Sequence, residues 1–454
     1  MQDKSGKWRK KFTQITTKKV NQNNNMHQSK KLNHNNKTTK NFTTEEIILL
    51  KLLQSALTKK RFEKSFDCDW ETVLELAGAH AVTAVLYDTL KSQQGMPAHL
   101  MERACRRSQI TVLSNYRLLF LDKYLTEYLE ENGIQAITLK GCATASLYPV
   151  PECRKSGDID LLIPNKEDYK IACALLKKAG FYCPNSQSAL HHTEFVFKND
   201  KEEIENGIVI ELHGMLAAPF ENEQMNTYLN TLLSSFEKNI SQNTSWGVRF
   251  YQPSDAYHGF YLALHMLQHF LREGFGLKNL CDWTVFWNRD IAAAQKRQFL
   301  KLVRQSGMER FVRILTAACV RYLGLSRVRV SFLLKEPVPK EDAALFLREV
   351  LDAGEFGGAQ KERMVVMQGT GLFAFIKEFH SQMHVNYPRA GRIFICWPIL
   401  WGLTLARFLK NNRRLKRGSV IQIMEKARRR SGLVKRLGVA DAGGFHLGKS
   451  KADL

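Results

Sequence analysis

The chain has 454 residues, 44% hydrophobic and 24% charged, a balance ordinary for a globular protein with a large core and on the order of two to four folded units. Its net charge of +23 is concentrated at the ends: residues 1–40 carry +10 and residues 407–436 carry +11, which leaves the body from 41 to 406 at +2 and residues 437–454 neutral. Nine cysteines without a Cys-x-x-Cys pair exclude a zinc ribbon and speak against a disulfide framework, and reduced thiols in the cytoplasm are expected.

Residues 1–42 are rich in Lys, Asn, Thr and Gln and poor in apolar side chains. Such a segment cannot offset its ordering entropy, and a disordered basic tail is predicted. It has no apolar stretch of the kind a secretory signal requires. A helical N-terminal region is expected over 43–133. Thr43 and Glu46 have capping-box spacing ahead of the apolar run from Ile47 to Leu53, and helices are predicted at 44–58, 70–92, 97–108 and 110–131. Trp70, Leu74, Ala77 and Val82 read as core positions.

At Gly133 the period changes, and residues 134–252 form the predicted α/β part of the chain. A short apolar strand over 134–139 precedes Gly141, which opens a helix. A second strand runs from Asp158 to Ile163 and is closed by Pro164. A helix over 166–179 ends at Gly180. Two further strands, at 195–197 and 208–212, make an antiparallel pair. A helical C-terminal region follows over 253–415, with helices at 254–272, 278–288, 291–305 and 308–323 and a mixed piece at 340–385. The fold class is therefore α+β: a small mixed β-sheet core flanked by helical N- and C-terminal regions, with a basic helix and flexible tail over 416–454.

The chemistry is concentrated on two strands. Side chains alternate along a strand, so Asp158, Asp160 and Leu162 share one face while Ile159, Leu161 and Ile163 share the other. The two aspartates are about 6.5–7 Å apart at Cα, close enough to converge on one cation. On the later strand Val209, Glu211 and His213 share a face. If the strands are neighbours, three carboxylates meet, and an all-oxygen donor set favours Mg2+ or Mn2+. Gly141 lets the backbone approach a phosphate, Lys140 adds a point charge, and Arg154 has the geometry for a bidentate phosphate contact.

With these residues in this order the sequence resembles the polymerase-beta-like nucleotidyltransferase superfamily, and within it an uncharacterised bacterial branch. The resemblance rests on Ile137, Leu139, Lys140 and Gly141, on Tyr148 and Arg154, on Asp158, Asp160 and the two leucines after them, and on Ile210, Glu211 and His213. It spans roughly 44–415 and is sharp over 134–214. It implies a nucleotidyltransferase core in 134–252, with Asp158, Asp160 and Glu211 as the catalytic metal ligands and Gly141 near the triphosphate of an NTP, ATP by default. The superfamily usually places a serine after that glycine; this chain has Cys142.

The acceptor has no local signature, and a small molecule, a protein and an RNA are all open. The alternative reading is a catalytically inactive protein of the same fold that binds RNA or an anionic membrane surface through its basic ends. His258, His265 and His269 fall on one helix face near Asp282, but core-edge histidines are expected there rather than a metal site. Asp282 as a base is a weaker reading of the same kind; His191 and His192 precede a strand and could face the nucleotide, but a loop position is expected for them. The apolar run 393–406 is too short to span a bilayer and is expected to be a buried helix. The stretch 407–436 reads as a basic helix, solvated or lying on a membrane or RNA surface.

Overall fold

The computed structural model describes residues 42–59, 65–184, 192–197, 207–220, 222–245, 247–272, 274–355 and 393–414, together with a few single positions between and beyond them. Residues 1–41 of the predicted N-terminal tail, nearly all of the basic segment 416–454, His191 and most of the turn 198–207 lie outside the described residues. The described residues all fall in one compact unit.

Helix α1 (Thr44–Thr58) begins at the predicted capping box: the Glu46 amide donates to Thr43 Oγ1, and the Thr43 amide donates to Glu46 Oε2 at 2.9 Å. The expected helix over 70–92 is two helices, α2 (Trp70–Ala79) and α3 (Thr83–Lys91). The break falls at Ala81, whose φ of 57° places it in the left-handed region and stops the helical ladder. The two helices expected over 97–131 are instead one 34-residue helix, α4 (Ala98–Glu131). No glycine or proline interrupts it, so nothing in the local sequence ends the helix midway.

Six strands form one mixed sheet in the order β3-β4-β2-β1-β6-β5. These are β1 (Ile137–Thr138), β2 (Asp158–Leu162), β3 (His192–Phe197), β4 (Ile208–His213), β5 (Ile240–Ser245) and β6 (Val248–Pro253). β2 runs parallel to β4 and antiparallel to β1, and β3 is antiparallel to β4 as expected. The hairpin β5–β6 and helix α7 (Glu223–Lys238) before it were not predicted. β5 is an edge strand of polar residues (Ser241, Gln242, Asn243, Thr244) with no hydrophobic alternation to reveal it.

One face of the sheet is apolar. Ile159, Leu161, Phe195, Ile210 and Leu212 pack against Leu118, Leu121, Leu125 and Leu129 of α4 and against Ala172 and Leu176 of α6 (Lys166–Lys178). A second, larger core joins the N-terminal helices to the C-terminal ones, α8 (Asp255–Arg272), α9 (Leu277–Trp287), α10 (Ala293–Gln305), α11 (Glu309–Tyr322) and α12 (Lys340–Ala353). The opposite face of the sheet carries the acids and looks toward α8 and α9.

The run 393–406 corrects an expectation. It forms the 3-10 turn Phe394–Cys396 and the start of α13 (Trp397–Arg414), but it is not buried. Phe394, Ile395 and Ile399 are 72%, 85% and 69% exposed, and only Leu400 and Thr404, one turn apart, face inward. Hydrophobicity alone suggested burial; two inward-facing positions are too few to seat the whole stretch against the protein.

Candidate functional site: an acidic strand face under a basic cleft

The parallel register of β2 and β4 sets Asp158 beside Val209, Asp160 beside Glu211 and Leu162 beside His213. Residues paired in register point to the same face, so Asp160, Glu211 and His213 crowd together. Carboxylate oxygens of Asp158, Asp160 and Glu211 lie within 4.8 Å of one another, a spacing that can hold a metal ion. Asp160 is almost fully buried, while Asp158 and Glu211 are partly open.

Two cationic or hydrogen-bonding groups flank Asp160. Lys140 Nζ lies 3.2 Å from its Oδ2, and His213 Nε2 lies 3.1 Å from Oδ1 and 3.3 Å from Glu211 Oε2. Burial would raise the Asp160 pKa, but Lys140 and the His213 hydrogen bond outweigh it and hold the group well below the usual carboxylate range. Burial would lower His213, but its bonds to Asp160 and Glu211 push it up to about 9. Asp158 is raised, first by the charge of Asp160 and then by burial. That repulsion is what a cation between them would relieve.

His192, Glu211 and His213 form a second group with metal-like spacing. The all-oxygen set is the better candidate. His213 Nε2 is already directed at two carboxylates, Asp160 and Glu211.

Gly141 caps helix α5 (Cys142–Ala145), with φ 55° and ψ −120°. A side chain at that φ would be strained, so the turn between β1 and α5 requires a glycine. Cys142 is buried, and its Sγ donates to Asp122 Oδ2 of α4 at 2.8 Å. Burial pushes its thiol pKa well up, so it is held as a neutral donor.

Beside this turn a small cleft is lined by Lys140, Arg154, Asp158, His265, Lys278 and Asn279, among others. Lys278 and Asn279, in the first turn of α9, were missed in the sequence. A lysine after Gly276-Leu277 signals only a helix start, and nothing local tells that it faces a strand more than a hundred residues earlier. Lys278 Nζ pairs with Glu355 at 2.9 Å, and Glu355 also reaches Lys155 at 3.3 Å.

Arg154 is placed in the cleft wall with a partner of its own. Its Nε and Nη2 donate to the two oxygens of Asp282 at 2.7 and 2.8 Å, Nη1 donates to Ser156 Oγ, and the Tyr148 hydroxyl donates to Asp282 at 2.6 Å. Asp282 is therefore an anchor joining the 148–156 loop to α9. The four-residue cluster of His258, His265, His269 and Asp282 does not come together. His258 sits against Thr144 and Phe286, where burial lowers its pKa to about 3. His265 instead contacts Lys140 Nζ at 2.8 Å and His269 at 3.0 Å, which brings α8 into the site.

The family model described as "Uncharacterised nucleotidyltransferase" matches residues 67–324. This chain belongs to that nucleotidyltransferase family, and its mixed sheet flanked by helices is consistent with a nucleotidyltransferase-like fold. Among solved structures, an antigenic nucleotidyltransferase-like protein from Paracoccidioides brasiliensis is similar at 14% identity and a TM-score of 0.29, over 46% of this chain and 93% of that one. No curated protein matches the sequence.

Proposed function

We propose that this protein transfers a nucleoside monophosphate from an NTP, ATP by default, to an acceptor hydroxyl. The observation that carries the proposal is the convergence of Asp158, Asp160 and Glu211 on one face of β2 and β4. Their all-oxygen chemistry fits Mg2+ or Mn2+. When bound, such an ion neutralises phosphate charge and polarises the reacting oxygens.

The chain's own residues supply the rest. Lys140 and Lys278 set positive charge on both sides of the cleft, and Gly141 keeps the turn beside Asp158 free of a side chain. Arg154 shapes the wall and offers Nη1 on the Ser156 side. The acceptor oxygen bonds to the α-phosphorus as the bond from that phosphorus to the bridging oxygen breaks. The electron pair leaves with pyrophosphate, and the hydroxyl proton passes to the carboxylate cluster. Nine free thiols fit a reducing compartment, so the cytoplasm is the proposed setting.

α-labelled NTP incubated with cell extract and Mg2+ should label an acceptor. Asp158→Ala with Asp160→Ala should lower transfer about 1000-fold or more, the equivalent of several kcal/mol of lost charge stabilisation. Transfer that survives this double substitution sinks the assignment. The buried Cys142, which stands where a phosphate-binding serine is usual, is the observation favouring the inactive reading. Calorimetry separates the two: no binding of ATP with Mg2+ would favour the inactive protein.

A further inference from the structure

The apolar segment 393–405 is a surface feature that the catalytic reading leaves unused. Ile393, Phe394, Ile395, Ile399, Leu403 and Leu405 are all at least 47% exposed. Ile393 caps the 3-10 turn Phe394–Cys396, and the others sit on that turn and the first half of α13. Scattered exposed hydrophobics need no explanation, but a contiguous set of this size marks an interaction site. Aromatic rings add to it. Phe394 stacks edge-on against Trp397 with centroids 4.8 Å apart, and Trp401 donates its indole N–H to His380 at 3.2 Å. Tryptophans with one apolar and one bonded edge suit a membrane–water boundary.

Charge identifies the occupant. Between Glu378 and Glu425 the sequence has no acid, and it holds eight basic residues: Arg389, Arg392, Arg407, Lys410, Arg413, Arg414, Lys416 and Arg417. An apolar patch joined to a one-sign basic stretch complements an anionic bilayer, whose headgroups attract the cations while the acyl boundary takes the apolar side chains. A transmembrane role does not compete, because among the described residues no helix is long and apolar enough to cross a membrane. Nor does a buried role, because most of the segment faces outward.

We propose that residues 393–414 form an in-plane anchor that seats this protein on an anionic phospholipid surface. The proposal is independent of the transfer reaction, since it uses no residue of the acidic face or the cleft.

The test is flotation of the full chain with vesicles of phosphatidylcholine alone and of phosphatidylcholine with phosphatidylglycerol. Partitioning onto the anionic vesicles should exceed that onto neutral ones by about tenfold or more and fall as salt is raised. Ile395→Asp with Ile399→Asp should abolish it without changing the thermal melt, because both side chains are exposed. Should that pair perturb folding, Ile395→Ser with Ile399→Ser must still weaken partitioning for the proposal to stand. Three outcomes overturn it: equal binding to both vesicle types, anionic binding that survives the substitutions, and no vesicle binding at all. Where there is no vesicle binding, a dimer lost in the same variants would assign the patch to a second copy of the chain. Salt-sensitive RNA binding would instead assign the basic residues to nucleic acid.

Discussion

The acidic face of the sheet and the basic wall opposite it are built by different means. On β2 and β4 the chemistry is a local property: a period of two and a parallel register set Asp160 beside Glu211. On the wall it is a tertiary property. Lys278 and His265 arrive on α9 and α8, and Arg154 is held by an aspartate 128 residues away. A site made this way should respond to substitution in two ways. Damage to the strand face should change chemistry, while damage to the wall should first change how the helical region is held.

The largest effect of the second kind is expected at Arg154. Its guanidinium and the Asp282 carboxylate are both almost fully buried, and removing one partner of such a pair costs about 3–5 kcal/mol. Arg154→Ala and Asp282→Ala should each lower stability by that order in urea unfolding. Arg154→Met combined with Asp282→Leu should recover most of the loss, because no buried charge is then left alone. If Arg154→Ala instead left stability unchanged and raised only the KM for NTP, Arg154 would be a phosphate contact, as its sequence position suggested, and the contrast between face and wall would fail at this residue.

The contrast also explains what the sequence revealed. The sheet's acids could be read because Ile159, Leu161, Ile210 and Leu212 mark the buried face, which leaves Asp158, Asp160 and Glu211 on the other. The helical spans could be read from their period, but their joints could not. The left-handed Ala81 that separates α2 from α3 and the unbroken course of α4 past residue 109 depend on packing rather than on a breaker residue. Lys278 was illegible for the same reason, and so was Asp122 as the partner of Cys142. The exposed segment 393–405 was misjudged because hydrophobicity states what a side chain avoids, not whether the fold supplies a place for it.

Asp122 lies between the two regions, on α4 behind the Gly141 turn, and its effect should be intermediate. Burial raises its pKa to about 6, with the Cys142 thiol donating against that trend and the nearby Asp160 charge adding to it. An unfolded aspartate titrates near 3.9. The folded state therefore holds this proton more tightly, and the stabilisation it contributes is present below about pH 4 and lost as pH rises to about 6. A shift of roughly two units corresponds to about 3 kcal/mol at most. Asp122→Asn should remove this slope and make the protein more stable than the wild type by about 1–3 kcal/mol at neutral pH, as measured by denaturant midpoints at pH 4 and pH 7. An Asn variant with the same slope as the wild type would show that Asp122 does not hold its proton more tightly in the fold and that its surroundings are wetter than the packing implies.

The smallest effect should be at Lys278, and it is the most informative about the wall. Lys278 sits in the first turn of α9, where its ammonium and the helix N-terminus add positive potential at the cleft. In the transfer reading it binds the phosphates of the donor and takes no part in bond-making. Lys278→Ala should then raise the KM for NTP about tenfold, about 1.4 kcal/mol, with little change in kcat, and Lys278→Arg should keep most of the affinity. Its pairing with Glu355 gives a second handle. That carboxylate competes with phosphate for the same ammonium, so Glu355→Gln should leave KM equal or lower. A fall in kcat at constant KM for Lys278→Ala would place the lysine among the groups that act only in the transition state. The wall would then share the chemistry that the strand face is proposed to carry alone.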